Sequence, residues 1–252
     1  MRALICDQSA TNIASLRKLG FSLDPYKPHI QIPSHESIVH IIFDPPHLIK
    51  NVRNNLIRHD IEVDGKSVSW KHIQSFYDMD NRNPVHMAPK LTDQHLDPGP
   101  LLAMKVKLAT QVFSHQVSSA LKVCLEQQMM SQDASPTAEF VEKMDKCLNL
   151  MNSRKLFADK PAYCALTTSG KNLEDLEEMK KWIEKWRFIG VKNPKSIPSH
   201  WGLSVAIDSI IFFEQISPGH CFQFVCTSRF NQDCIENFFS IIRSKGGWND
   251  RP

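Results

Sequence analysis

IVHIIFDPPHLIKNVRNNLIRH, residues 38–59, is the stretch whose reading decides the fold. Residues 38–43 form a β-rich apolar run, of the kind buried on both faces of a parallel sheet. Asp44 closes the run, and Pro45 and Pro46 fall where a helix begins, a position that tolerates proline because its N–H is unpaired anyway. Upstream, ALIC (residues 3–6) is a second short apolar run ending in Asp7. DQSATN then supplies capping side chains, and IASLRKLG reads as a helix stopped at Gly20. Strand, helix, strand and helix thus follow one another, each strand ending in aspartate. That is a fragment of an α/β sheet, whose ligands gather at the carboxyl ends of the strands.

Downstream the pattern changes. IEVDGKSVSW places Asp64-Gly65 between short β-prone runs, a hairpin signal. From Trp70 the chain looks helical, through WKHIQSFYDM, LLAMKVKLATQVFSHQVSSALKVCLEQQM, TAEFVEKMDKCLNLMNSRKLF and KNLEDLEEMKKWIEKWRFIG, with one more helix over 203–213. NPVHMAPK, DPGP and NPKSIPSHWG read as loops. FQFVCTS and a last helix follow. The fold class is therefore α/β plus mostly α, a helical domain inserted between two pieces of a mixed sheet domain.

The last helix lies in TSRFNQDCIENFFSIIRSKGG, residues 227–247. Ile235, Phe238, Phe239, Ile241 and Ile242 recur at helical spacing and predict a buried stripe. Asp233 and Glu236, three apart, project as neighbours. Arg243 and Lys245 suit the negative end of the helix dipole, and Gly246-Gly247 stops the helix. The carboxylate pair fits a metal or phosphate site; solvated charges on an amphipathic helix are the other reading.

A net charge of +3 is too mild to demand a nucleic-acid partner. Seven cysteines lack zinc-ligand spacing and read as reduced thiols, Cys234 as a small buried hydrophobe. No apolar run approaches the ~20 residues needed to cross a bilayer, so the chain reads as soluble and intracellular, with no membrane partner. His29, His35 and His40 lack ligand spacing and read as incidental. Trp182 and Trp186, four apart, read as core or interface packing. Asp44 has two readings, an N-cap or a residue supporting an active-site ligand. Arg229, Arg243 and Lys245 either meet DNA phosphates or stay solvated.

Taken together and in order, ICDQSATN, FDPPHLIKNVRNN, KVKLATQVFS, LMNSRKLF and TSRFNQDCIENFFSIIRSKGG resemble P-element-type DNA transposases, including their THAP-domain-bearing vertebrate relatives. The resemblance implies a ribonuclease H-like domain, here partial (residues 1–59 and 218–252), interrupted by a helical GTP-binding insertion (60–217). It implies Mg²⁺ or Mn²⁺ and GTP as cofactors, transposon and target DNA as partners, nuclear location and the possibility of a homo-oligomer. In such enzymes three carboxylates hold two divalent metals that drive strand cleavage and transfer. Asp7 matches the second carboxylate and Glu236 the third; the first has no counterpart, so the chain alone is expected to be inactive. Lys105, Val106, Ser114, Asn149, Asn152 and Asp233 match the GTP pocket. Asn149 departs from the pattern, standing where the family presents an acid to the base. A carboxylate accepts from both guanine N1–H and N2–H, whereas an amide has one acceptor and a donor. A non-enzymatic nucleotide-binding or interaction module derived from a transposase is the alternative.

Overall fold

The computed structural model describes residues 3–32, 37–167, 170–193, 196–215 and 223–245. Strand β1 (Ala3–Cys6) leads through Ser9, whose hydroxyl accepts from Asn12 N, into helix α1 (Ala10–Lys18). A two-residue hairpin, β2 (Ser22–Leu23) and β3 (Tyr26–Lys27), is followed by β4 (His29–Ile32) and β5 (Ser37–Phe43). The apolar run at 38–43 becomes the central strand of a sheet ordered β1-β5-β4. Pairing of β1 with β5 is parallel, as the strand–helix–strand pattern requires, with Ala3 opposite His40 and Cys6 opposite Phe43. The antiparallel partner β4 is not apparent from the sequence, because HIQI is short and half exposed.

Helix α2 (Pro45–Arg58) starts at Asp44 and buries Leu48, Ile49, Val52 and Leu56. It packs beside α10 (Pro198–Gln215), which also covers β5. Ser209 Oγ on α10 donates to Ile41 O at 2.6 Å, and the Phe212 ring stacks on His40 at 3.9 Å. Gly202 permits the close approach of α10, since a Cβ there would stand 2.8 Å from Leu48 Cδ2.

The expected hairpin is present as β6 (Ile61–Val63) and β7 (Lys66–Val68). Its turn has φ of 51° at Asp64 and 75° at Gly65, the left-handed pair that a tight two-residue hairpin needs. The helical block follows: α3 (Trp70–Asp80), α4 (Asp93–Leu96), α5 (Pro100–Ala103), α6 (Val106–Val112), α7 (His115–Glu126), α8 (Ser135–Leu150) and α9 (Lys171–Glu184). Two expectations are corrected here. The run from Leu101 to Met129 is not one helix but breaks at Met104–Lys105 and at Phe113–Ser114. At the second break Ser114 Oγ accepts from Val117 N, so a capping serine starts a new helix where apolar periodicity alone would continue the old one. Similarly α9 ends at Glu184, and Arg187–Phe188 form β8, which pairs antiparallel with β6.

The helices close on an aromatic cluster. The buried Phe140 ring lies 6.0 Å from Phe113, 5.3 Å from Trp182 and 5.0 Å from Trp186. Trp182 and Trp186 meet edge to face at 4.9 Å, the core role of the two their spacing allows.

The last helix, α11 (Asp233–Lys245), overturns one expectation. Its apolar residues Ile235, Phe238, Phe239, Ile241 and Ile242 are 48–60% exposed, and none of its described side chains is buried. Periodicity identified the helix correctly but cannot say whether another surface lies against its face. Cys234, read as buried, is exposed for the same reason. Gly246, Gly247, His35 and Cys221 lie outside the described residues. Replacing Phe238 and Phe239 together by serine is expected to change unfolding free energy by less than about 1 kcal/mol. It should also lower the fluorescence of a dye that binds apolar surface. A loss above about 2 kcal/mol in chemical denaturation would show that this face is packed in the isolated chain.

Candidate functional site

The first group of candidates forms at the carboxyl ends of β1 and β5. Asp7 follows β1; its Oδ1 accepts from Ser9 N at 3.0 Å and Asn12 Nδ2 at 2.7 Å. Burial pushes the Asp7 carboxyl up, but these bonds and the nearby His47 together hold it below the usual carboxylate range. Asp44 follows β5 and is 2% exposed. Its Oδ2 accepts from His47 N at 3.0 Å and meets His47 Nδ1 at 2.6 Å, while Oδ1 accepts from Gln232 N at 2.7 Å. Asp44 therefore caps α2, as one of its two readings has it, and it also fixes an imidazole and the lead-in to α11.

His47 is the link that sequence reading missed. Its Nε2 lies 3.7 Å from Glu236 Oε1, so the ring bridges buried Asp44 and exposed Glu236. The hydrogen bond to Asp44 raises the His47 pKa against the opposing effect of burial, with the Asp44 and Glu236 charges adding to the rise. Lys50, one turn along, has its pKa lowered by burial, although it faces the charges of Asp7, Asp44 and Glu236. Asp7 and Glu236, from opposite ends of the chain, are therefore gathered around His47 and Lys50. The available signal was a histidine three residues after a capping aspartate, which puts the ring over the helix's first turn.

In donor type, Asp7 and Glu236 fit a hard divalent cation such as Mg²⁺, which prefers carboxylate oxygen. Asp44 has both oxygens engaged. Among the described residues no group of three or more His, Cys, Asp or Glu side chains is arranged to hold a metal. The pair fits the metal in kind, and a closed site needs ligands beyond it.

The second group forms where α8 ends. Asn149 Nδ2 donates to Asp145 Oδ2 at 3.0 Å, one turn back on α8. Burial raises the Asp145 pKa, opposed by a hydrogen bond from the His115 backbone and by charges on His115 and Lys160. Ser114, immediately before His115, caps α7 and so stands beside this pair. Asn152 Oδ1 accepts from Asn231 Nδ2 at 3.2 Å, and the same amide reaches Asp233 Oδ2 at 3.1 Å. Arg154 Nη2 lies 3.5 Å from that oxygen. Ser114, Asn149, Asn152 and Asp233 are thus brought together. Lys105 and Val106 stand at the other end of α6 from Ser114, held by the packing of α6 on α2. No hydrogen bond or ion pair among the described residues joins them to Asn149, Asn152 or Asp233.

Two further residues were not singled out from the sequence. Thr227 and Ser153 are both fully buried and interlocked: Ser153 N donates to Thr227 Oγ1 at 2.8 Å, and Thr227 N donates to Ser153 Oγ at 3.1 Å. Thr227 Oγ1 also donates to Leu150 O at 2.7 Å, which fastens the approach to α11 onto the end of α8.

The chain and its fold have relatives among known proteins. A family model described as the TNP-like GTP-binding insertion domain matches residues 46–163, and one described as the TNP-like RNase H C-terminal domain matches 228–252. The chain is similar to the Transposable element P transposase of Drosophila melanogaster, 29% identical over 255 residues. It superimposes on a chain of the Drosophila P element transposase strand transfer complex with a TM-score of 0.87 at 27% identity, over 100% of this chain. It belongs to the P-element-type transposase family. Its architecture is accordingly a partial RNase H-like fold with a helical insertion. As a member of that family it is a part-length match, spanning 33% of the curated relative and 57% of the solved chain. No helix among the described residues is long and apolar enough to cross a membrane.

Proposed function

We propose that this chain is the guanine-nucleotide-binding core of a P-element-type DNA transposase. The observation that carries this reading is the double attachment of α11. Asp233 is joined through Asn231 to Asn152, and Glu236, one turn later, faces His47 beside Asp7. One helix thus serves both the nucleotide group and the carboxylate group. Lys105, Val106, Ser114, Asn149, Asn152 and Asp233 would bind GTP. Asp7 and Glu236 would hold Mg²⁺ or Mn²⁺, which when bound activates water or a 3′-hydroxyl and stabilises a leaving oxygen. His47 and Lys50 orient and balance the two carboxylates. Transposon and target DNA are the proposed partners, in the nucleus and with the possibility of a homo-oligomer. The proposed division is residues 1–59 and 218–252 as the RNase H-like part and 60–217 as the insertion.

With only two of the family's three carboxylates, the chain alone is expected to bind nucleotide and not to cleave DNA. A second reading is a nucleotide-binding or interaction module without catalysis, since Asp44, the other carboxylate at these strand ends, has both oxygens engaged within the chain. Calorimetric titration of the full chain with GTP and ATP in Mg²⁺ tests the shared part of both. Saturable binding that prefers GTP is expected; a folded chain that binds neither nucleotide would sink both. Metal-dependent nicking of transposon-end DNA by the chain alone would establish catalysis and overturn the second reading.

A further inference from the structure

We propose that Asp145 sets the base preference of the nucleotide site by holding the Asn149 amide so that it presents oxygen to the base, keeping the site selective for guanine and closed to xanthine. The proposal rests on the guanine-nucleotide function given above and names the residue that decides its specificity.

The Watson–Crick edge of guanine offers an acceptor, O6, and two donors, N1–H and N2–H. Two oxygen acceptors and one donor complement it. An amide at position 149 could turn either end to the base, because asparagine carries one carbonyl acceptor and an NH₂ donor. If NH₂ faced the base, it would oppose the guanine N2 amino group and would instead suit xanthine, which has a carbonyl at that position. The 3.0 Å bond from Asn149 Nδ2 to Asp145 Oδ2 removes this freedom. Turning the amide over would set its carbonyl against a carboxylate oxygen, two acceptors facing each other. Asp145 is itself fixed, since its carboxylate accepts the backbone N–H of His115 at the start of α7.

The neighbouring groups complete the pattern. Asp233 Oδ2 is engaged by Asn231 and Arg154, which leaves Oδ1 as a second acceptor. Asn152 Oδ1 is engaged by Asn231, which leaves the Asn152 NH₂ as a donor for O6. Asn149 Oδ1, Asp233 Oδ1 and Asn152 Nδ2 then supply two acceptors and a donor. Adenine mismatches this set, because its N1 is an acceptor and its exocyclic group at C6 a donor.

The test is competitive binding of GTP, ITP, XTP and ATP to the full chain in Mg²⁺, with the Asp145→Ala, Asn149→Ala and doubly substituted chains alongside. The unsubstituted chain should bind GTP tightest and XTP and ATP about 10-fold or more weaker, the scale of one mispaired polar group. ITP, which lacks the N2 amino group, should fall between. Asp145→Ala should raise the XTP-to-GTP affinity ratio about 10-fold. The same change on the Asn149→Ala background should leave the ratio unmoved, since no amide remains to be oriented. XTP bound as tightly as GTP by the unsubstituted chain would overturn the proposal without any variant having to fold. So would an unchanged ratio in a folded Asp145→Ala chain. A folded chain that binds none of the four nucleotides would refute the nucleotide function itself, a result distinct from binding with the wrong preference.

Discussion

Replacing Asp44 by alanine is expected to lower the unfolding free energy by about 3–5 kcal/mol, the scale of breaking a buried, charge-assisted cluster by removing one partner. The carboxylate is 2% exposed and serves three partners, His47 N, His47 Nδ1 and Gln232 N. The His47 backbone N–H would lose its cap, a loss of about 1 kcal/mol by itself. The His47 ring would lose its 2.6 Å partner, and Gln232 N its 2.7 Å acceptor from a residue far away in the chain. The last bond matters beyond stability, because it ties the lead-in of α11 to the start of α2. Denaturant unfolding with an unchanged slope would measure the loss, and hydrogen exchange at the Gln232 amide would locate it. Asp44→Asn, which keeps the shape and one acceptor, should lose roughly half as much, a fraction set by the bonds it retains. A midpoint for Asp44→Ala within about 1 kcal/mol of the unsubstituted chain would mean that these bonds contribute little.

Asp44 also shows how much of the site could be read in advance. An aspartate before Pro-Pro and an apolar helix announces a cap, because the signal lies within four residues. Its third bond, to Gln232, is a product of the fold and has no local signature. The same division runs through the chain. The strands at 3–6 and 38–43, the Asp64-Gly65 turn and the packing of Trp182 on Trp186 were legible, since each depends on short-range pattern or helical spacing. The antiparallel β4, the capping break at Ser114 and the pairing of β8 with β6 were not, because a weak local preference was decided by a distant partner. The apolar residues of α11 mark the limit most clearly. Their period was right, yet exposure depends on what lies opposite, which a period does not encode. Among the site residues, family pattern pointed to Asp7, Glu236, Asn149 and Asp233. The residues that orient or flank them, His47, Asp145 and Asn231, became visible only as contacts.

Thr227→Val should destabilise the chain by about 2–4 kcal/mol even though valine fills the same volume, because the loss is of hydrogen bonds and not of packing. Thr227 Oγ1 donates to Leu150 O and accepts from Ser153 N, and both Thr227 and Ser153 are fully buried. Valine leaves that carbonyl and that N–H without partners in a place water does not reach, and such groups cost more than the bond itself contributes. Ser153→Ala removes the hydroxyl that accepts from Thr227 N and meets Thr227 Oγ1 at 3.0 Å, but leaves the bonds of Thr227 Oγ1 to Leu150 O and from Ser153 N in place, so a smaller loss is expected. Because the two side chains share one network, the double variant should depart from additivity by about 1 kcal/mol or more. This interlock holds the end of α8, where Asn149 and Asn152 stand, against the segment that carries Asn231 and Asp233. Nucleotide affinity should therefore fall in Thr227→Val at temperatures where the chain is still folded, with the GTP-to-ATP preference falling alongside. Unchanged affinity in a destabilised but folded variant would show that the two halves of the nucleotide group are held by something other than Thr227. Unchanged stability would show that the buried donor and acceptor find new partners.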